Sequence, residues 1–166
     1  MIPIKKAIEA GDWLRLELQP EHSSGERLIN MKGINEGLPL VLQLRFKEFT
    51  KIELDMVDHP EKLGLPLGSN VWKLGLEVVN LCRRELPASL VGYRVVIADQ
   101  NGFEYRIVRD DHLTRFSKYA KTSGLDAFQD AILPPKIKRA GSFAYEIPAE
   151  YEQLFLIGRR GTLSGA

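Results

Sequence analysis

Two stretches of the sequence decide the fold: Leu133-Pro-Pro-Lys-Ile-Lys-Arg-Ala-Gly-Ser-Phe-Ala-Tyr-Glu-Ile-Pro148 and Ala98-Asp-Gln-Asn-Gly-Phe-Glu-Tyr105. In the second stretch, Asn101-Gly102 separates two apolar runs, which is typical of a β-hairpin. In the first, a proline-rich connection leads into a strand from Gly141 to Ile147. Pro148 ends that strand because proline has no N–H to donate to a neighbour. Together they predict an all-β sandwich.

Alternation of apolar and polar residues extends this prediction along the chain. It predicts strands over residues 13–19, 28–31, 38–49, 52–57, 71–81, 93–97, 103–108, 141–147 and 154–158. A short helical turn is expected over residues 5–10, ended by Gly11, and further short turns in the crossover 110–130. From residue 159 onward we expect a frayed end. No strand–helix–strand alternation is present, which argues against a parallel sheet.

Composition narrows the function classes. The chain has 166 residues, enough to bury a core, and its 23 basic and 22 acidic side chains give a net charge of +1. Such a balance creates no general attraction for nucleic acid, and no nucleic-acid partner is expected. The sequence has no signal peptide and no run of about 18 apolar residues that could span a membrane. We therefore expect a soluble chain, either cytoplasmic or an exported domain without its leader.

The order of motifs resembles an immunoglobulin-like domain family of unknown function, common in bacterial lipoproteins and secreted proteins. The matching pieces are the strand Val71–Asn80, Asp99-Gln-Asn-Gly-Phe-Glu-Tyr105, and Leu133-Pro-Pro with Gly141-Ser-Phe-Ala-Tyr-Glu-Ile-Pro148. The resemblance begins near residue 52 and implies an antiparallel immunoglobulin-like β-sandwich without catalytic residues. Gly102 would supply a positive φ, Tyr105 would bond to the crossover backbone, and Gly141 would turn the chain into the sheet.

This resemblance divides the chain into three parts. Residues 1–50 are expected to be an N-terminal extension that adds strands, residues 51–160 the immunoglobulin-like sandwich, and residues 161–166 a flexible tail.

Two acidic clusters with histidine are the candidates for metal binding. They follow predicted strands, and their members are Asp55, Asp58, His59, Asp110, Asp111 and His112. Oxygen-rich loops suit calcium, and histidines with carboxylates suit zinc or another transition metal. In the alternative interpretation Asp58 and Asp110 cap turns and the histidines lie in solvent.

Other chemistries have less support in the sequence. There is no Gly-x-Ser-x-Gly motif and no glycine-rich phosphate loop. The single cysteine, Cys82, excludes an intramolecular disulfide and is expected to pack as a small apolar group, despite Arg83 and Arg84 beside it. We expect no catalytic residue and no cofactor.

The function that the sequence favours is a non-catalytic binding or accessory module, which engages a protein partner or itself through a sheet edge or loops. The alternative is a metal-dependent enzyme or a calcium-stabilised domain that uses the two Asp/His clusters.

Overall fold

The computed structural model describes residues 1–18, 40–53, 68–105, 107–108, 128 and 131–165. These residues include two short helices, α1 (Ile4–Ala10) and α2 (Ser89–Arg94). Their strands are β1 (Ile2–Pro3), β2 (Leu14–Leu18), β3 (Leu40–Lys51), β4 (Ser69–Asn80), β5 (Leu86–Pro87), β6 (Val95–Asp99), β7 (Glu104–Tyr105), β8 (Ile132–Leu133), β9 (Lys138–Pro148), β10 (Leu154–Gly158) and β11 (Gly161–Gly165). No helix in this described part of the chain is long and apolar enough to cross a membrane.

The strands form two principal sheets. One has four strands in the order β1-β10-β6-β7, the other has five in the order β11-β2-β3-β4-β9, and β5 pairs with β8. Every pair of neighbouring strands is antiparallel. The predicted all-β, antiparallel class is confirmed.

The period-two pattern explains how the sheets bury their apolar side chains. On β3, Leu44 lies opposite Val78 and Phe46 opposite Leu76, so the large residues of two strands meet on one face. A β-bulge after Phe46 inserts one extra residue, which the regular alternation did not indicate. One core contains buried side chains from both sheets, among them Leu16, Leu42, Leu44, Leu74, Phe143, Tyr145, Ile97 and Leu156.

The four-stranded sheet is connected to both edge strands of the five-stranded sheet. At one edge, β10 of the four-stranded sheet turns through two residues into β11 of the five-stranded sheet. At the other, the chain after β7 reaches β9, where Ile107 forms a bridge with Tyr145 and the Val108 N–H donates to the Ala144 carbonyl at 2.7 Å. The Tyr145 hydroxyl adds a bond to the Val95 carbonyl at 3.1 Å.

The predicted flexible tail over residues 161–166 is wrong for residues 161–165. These residues form β11, and Gly161 to Gly165 pair with Leu18 to Leu14 of β2. Arg160 makes the turn in the left-handed conformation, with φ 53°. A Cβ on Gly161 would lie 2.3 Å from the Glu17 carbonyl oxygen, so only glycine permits this close approach of β11 to β2.

The strand predicted to begin at residue 93 starts two residues later. Tyr93 belongs to α2, and β6 begins at Val95. The Tyr93/Val95/Ile97 alternation extended the strand pattern into the helix. Gly92 is required there by packing, because a Cβ would lie 2.9 Å from the Phe143 ring.

The first 50 residues contribute α1 and three strands. Gly11 ends α1 in the left-handed conformation, with φ 62°. Strand β3 lies between β2 and β4, so the five-stranded sheet includes strands from both sides of residue 50. The strand predicted over residues 28–31 lies outside the described residues. Of the strand predicted over residues 52–57 only Ile52 and Glu53 are described, and they belong to no strand; of the crossover over residues 110–130 only Phe128 is described, and it is helical.

Candidate functional site

All six residues of the predicted metal clusters lie outside the described residues: Asp55, Asp58, His59, Asp110, Asp111 and His112. The metal site therefore stays a prediction. Within the part of the chain that the structure describes, no group of three or more His, Cys, Asp or Glu side chains is arranged to hold a metal ion.

The Asp99–Tyr105 motif closes a hairpin. Asp99 Oδ1 accepts hydrogen bonds from the backbone N–H groups of Asn101 at 2.8 Å and Phe103 at 3.0 Å. Its Oδ2 accepts from the Tyr105 hydroxyl at 3.2 Å, and Gly102 has φ 86°. Among the described residues the Tyr105 hydroxyl thus donates to Asp99, where a bond to the crossover backbone was expected. Burial, and then the neighbouring Asp99, raise the pKa of Tyr105, which keeps it a donor at neutral pH.

Asn80 is a buried junction between β4 and β8. Its Nδ2 donates to the carbonyls of Arg84 at 2.7 Å and Leu133 at 2.9 Å, and its Oδ1 accepts from the Cys82 N–H at 2.8 Å. The Asn80 carbonyl also accepts from the Lys136 N–H at 2.7 Å. A fully buried amide with its donors and acceptor satisfied fixes one backbone arrangement. This asparagine therefore has a structural role.

Gly141 makes room for an aromatic ring. It lies inside β9, and a Cβ there would be 2.0 Å from Cγ of Phe128. That ring packs edge-on against Phe143, with centroids 5.2 Å apart. The expectation that Gly141 turns the chain into the sheet is wrong, since the strand already begins at Lys138.

Cys82 packs as the sequence predicts. Its Sγ accepts a hydrogen bond from the Val41 N–H at 3.3 Å. Burial raises the pKa of this thiol, so the reactive thiolate is scarce at neutral pH. The neighbouring arginines do not activate it.

A cavity of about 330 Å³ opens between α2, β6 and the turn that joins β10 to β11. Its walls are mainly apolar and aromatic; the lining residues are Gly92, Tyr93, Val95, Val96, Glu104, Tyr105, Ile107, Tyr145 and Arg159. At its rim Arg159 and Glu104 form an ion pair at 3.1 Å. The described lining residues include no serine, cysteine or histidine, so these residues supply no nucleophile with an adjacent base.

The outer face of the five-stranded sheet carries an ion network centred on Glu77. Arg45 donates to Glu77 Oε1 through Nη2 at 2.6 Å and Nε at 2.9 Å, and Lys138 lies 3.2 Å from Oε2. Lys47 approaches to 3.8 Å. The Arg45 hydrogen bonds, followed by the Lys138 contact, lower the pKa of Glu77 against a smaller opposing effect of burial. The network links β3, β4 and β9 on that face.

The sheet edges differ in how much they expose. Strand β1 is two residues long and contains Pro3, and β7 is also two residues long. Such short edges offer little to a partner. On β9, Ile107 and Val108 contact the outer edge. After β9, β11 is the longest described strand that has a neighbouring strand along one edge only.

Strand β11 also lacks the usual protection of an exposed edge. Its sequence, Gly161-Thr162-Leu163-Ser164-Gly165, has no charge and no proline, the two commonest devices against unwanted pairing. Thr162 and Ser164 are exposed, and Leu163 is partly buried against the core. Sequence reasoning missed this strand because its two glycines and small polar residues are typical of a loop.

No protein-family model and no curated protein matches the chain. Among solved structures it is similar to a putative lipoprotein from Staphylococcus aureus, at 14% identity and TM-score 0.49, over 74% of this chain and 79% of that one. A conserved hypothetical protein from Bacillus anthracis gives 13% and 0.45, over 74% of this chain and 87% of that one. A putative lipoprotein from Bacillus subtilis gives 10% and 0.43, over 70% and 36%. Such low identities carry no information about activity.

Proposed function

We propose that this protein is a non-catalytic binding module with an immunoglobulin-like sandwich fold, and that it engages an extended segment of a protein along the outer edge of β11, which no other described strand pairs with. The unpaired N–H and C=O groups of an edge strand can extend a sheet by one strand of a partner. Backbone hydrogen bonds give the affinity in this mode, and side-chain contacts give the selectivity.

The immunoglobulin-like part of the proposal is supported by the structural roles of the motif residues. Asp99, Gly102 and Tyr105 close one hairpin, and Asn80 binds Leu133. Pro148 is the last residue of β9. These are the positions on which the resemblance to the family rests, and each is used to hold the chain together.

The observation that carries the binding proposal is the uncharged, proline-free and singly paired β11. In the described part of the chain the other edge strands are two residues long, or contacted by a neighbouring segment as in β9. An edge of five residues without charges is what a docking strand requires.

The test uses short peptides selected for binding to the wild-type chain. Binding peptides are then N-methylated at single backbone amides. We expect loss of binding for amides that face β11, and no change for the alternate amides, which point away and serve as the matched control. Hydrogen–deuterium exchange should show slower exchange at residues 161–165 in the complex.

Two results would reject the proposal. One is a set of binders insensitive to N-methylation at every position. The other is a bound complex in which exchange slows elsewhere and residues 161–165 are unaffected.

A further inference from the structure

We infer that the occupant of the β11 edge is a second copy of this chain, paired antiparallel about Leu163, so that the two five-stranded sheets become one continuous sheet. This inference rests on the proposed function of β11 and names its partner. The pairing would be isologous, with the same strand contributing from both copies.

The sequence of β11 is suited to pairing with itself. A two-fold axis through Leu163 places Leu163 opposite its own copy, Thr162 opposite the second copy's Ser164, and Gly161 opposite the second copy's Gly165. Hydroxyl-bearing residues in directly opposed positions form favourable cross-strand pairs. No charged residue of β11 meets a like charge in this register.

Each face of β11 would also lie beside the face of the same polarity in the second copy. Leu163 lies opposite Leu16 of β2 and packs against the core. In the dimer, the Leu163 side chains of the two copies would therefore meet on the apolar face. Thr162 and Ser164 lie opposite Glu17 and Arg15, and belong to the polar face. A two-fold axis perpendicular to the sheet keeps each face on its own side, so apolar meets apolar and polar meets polar.

The residue pairs expected across the two-fold axis can be tested with charged substitutions at positions 162 and 164. In the antiparallel arrangement, the variant Thr162→Lys with Ser164→Glu places a lysine opposite a glutamate twice. The variant Thr162→Lys with Ser164→Lys places lysine opposite lysine twice. Because both positions are exposed, we expect both variants to keep the fold. Thermal melts monitor this.

Sedimentation is measured from about 10 µM to about 1 mM, a range suited to a small interface. We expect a weak dimer of the wild-type chain. The lysine–glutamate variant should lower the dissociation constant, and the lysine–lysine variant should raise it at least about tenfold, because like charges oppose at the interface. Ala149→Lys with Gln153→Lys, in exposed positions between β9 and β10, is the charge control and should leave it unchanged.

A chain that is monomeric at every concentration overturns this inference. So does a dimer that responds equally to the two β11 variants, or one that the lysine–glutamate variant weakens, as parallel pairing would require. The proposed function, peptide binding along β11, is tested independently of the dimer. A monomer that still binds peptides along β11 retains the function and rejects only the second copy as the partner.

Discussion

The two edge strands of the five-stranded sheet, β9 and β11, differ in what contacts their outer edges among the described residues. The outer edge of β9 is contacted by Ile107 and Val108, and the Phe128 ring rests on Gly141. Its exposed beginning carries Lys138 and Arg139, charges that discourage pairing with another chain. Strand β11 carries no charge, and among the described strands it pairs only with β2. Within the described residues, the chain therefore contacts the outer edge of β9 with its own segment and pairs β11 along one side.

The largest expected difference between the two edge strands comes from substituting one glycine in each, Gly141 in β9 and Gly165 in β11. Gly141→Ala places a methyl group in the volume of the Phe128 ring, and we expect a loss of about 3 kcal/mol in the free energy of unfolding. Gly165→Ala, at the end of β11 where nothing lies within 4 Å, is the matched control and should change little. Urea denaturation measures both. Equal losses in the two variants would show that the site of Gly141 is no more crowded than that of Gly165.

A second substitution tests how firmly the segment before β9 is held. Asn80→Asp replaces the Nδ2 donor by a carboxylate oxygen that faces the carbonyls of Arg84 and Leu133. We expect a destabilisation of about 2 kcal/mol, since two buried acceptors lose their donor. Asn101→Asp, in the exposed hairpin turn, is the control for the chemical change. A stability of Asn80→Asp equal to that of wild type would contradict the structural role of Asn80.

The smallest expected effect concerns the ion network that reaches β9. The pKa of Glu77 is lowered in the folded state, so on acidification the unfolded chain takes up this proton first. The contribution of Glu77 is therefore present above the ordinary glutamate pKa, and is lost as the pH falls through the lowered value. Glu77→Gln should reduce the loss of stability as the pH falls from neutral to below about 4.

The control for this substitution lies on the β11 side of the same face. Arg15 and Glu17 form an exposed pair at 3.3 Å, and exposed pairs contribute little to stability. Thermal melts of Glu17→Gln at neutral pH should therefore match those of wild type. If Glu77→Gln retains the full acid sensitivity of wild type, the network around Glu77 contributes nothing to it.

Much of the sheet could be predicted because burial follows the alternation of side chains. Leu42, Leu44 and Phe46 are buried as the pattern indicates, and the Asn101-Gly102 turn is confirmed. Both signals are local: one is a period of two residues and the other a dipeptide with a known turn geometry. They required no knowledge of distant contacts.

The parts that sequence reasoning missed depend on distant contacts. Helix α2 is short, and two of its residues, Leu90 and Val91, are fully buried, so tertiary packing outweighs local preference. The turn before β11 uses Arg160 in a left-handed conformation that arginine seldom adopts, and no dipeptide rule indicates it. Binding through a sheet edge was predicted in general terms, but the residues of β11, the edge proposed here, were assigned to the flexible tail. The metal candidates lie outside the described residues and stay a prediction.

The pairing of β11 with β2 sets an order of events during synthesis. Leu18 pairs with Gly161, so the two partners are separated by 161 − 18 = 143 positions in the chain. At the usual rate of translation, β2 leaves the ribosome roughly 7–30 s before its outer neighbour exists. During that interval a nascent chain would expose the edge of β2 in place of the edge of β11. The last strand of the five-stranded sheet to be synthesised is therefore the one that covers this edge of β2.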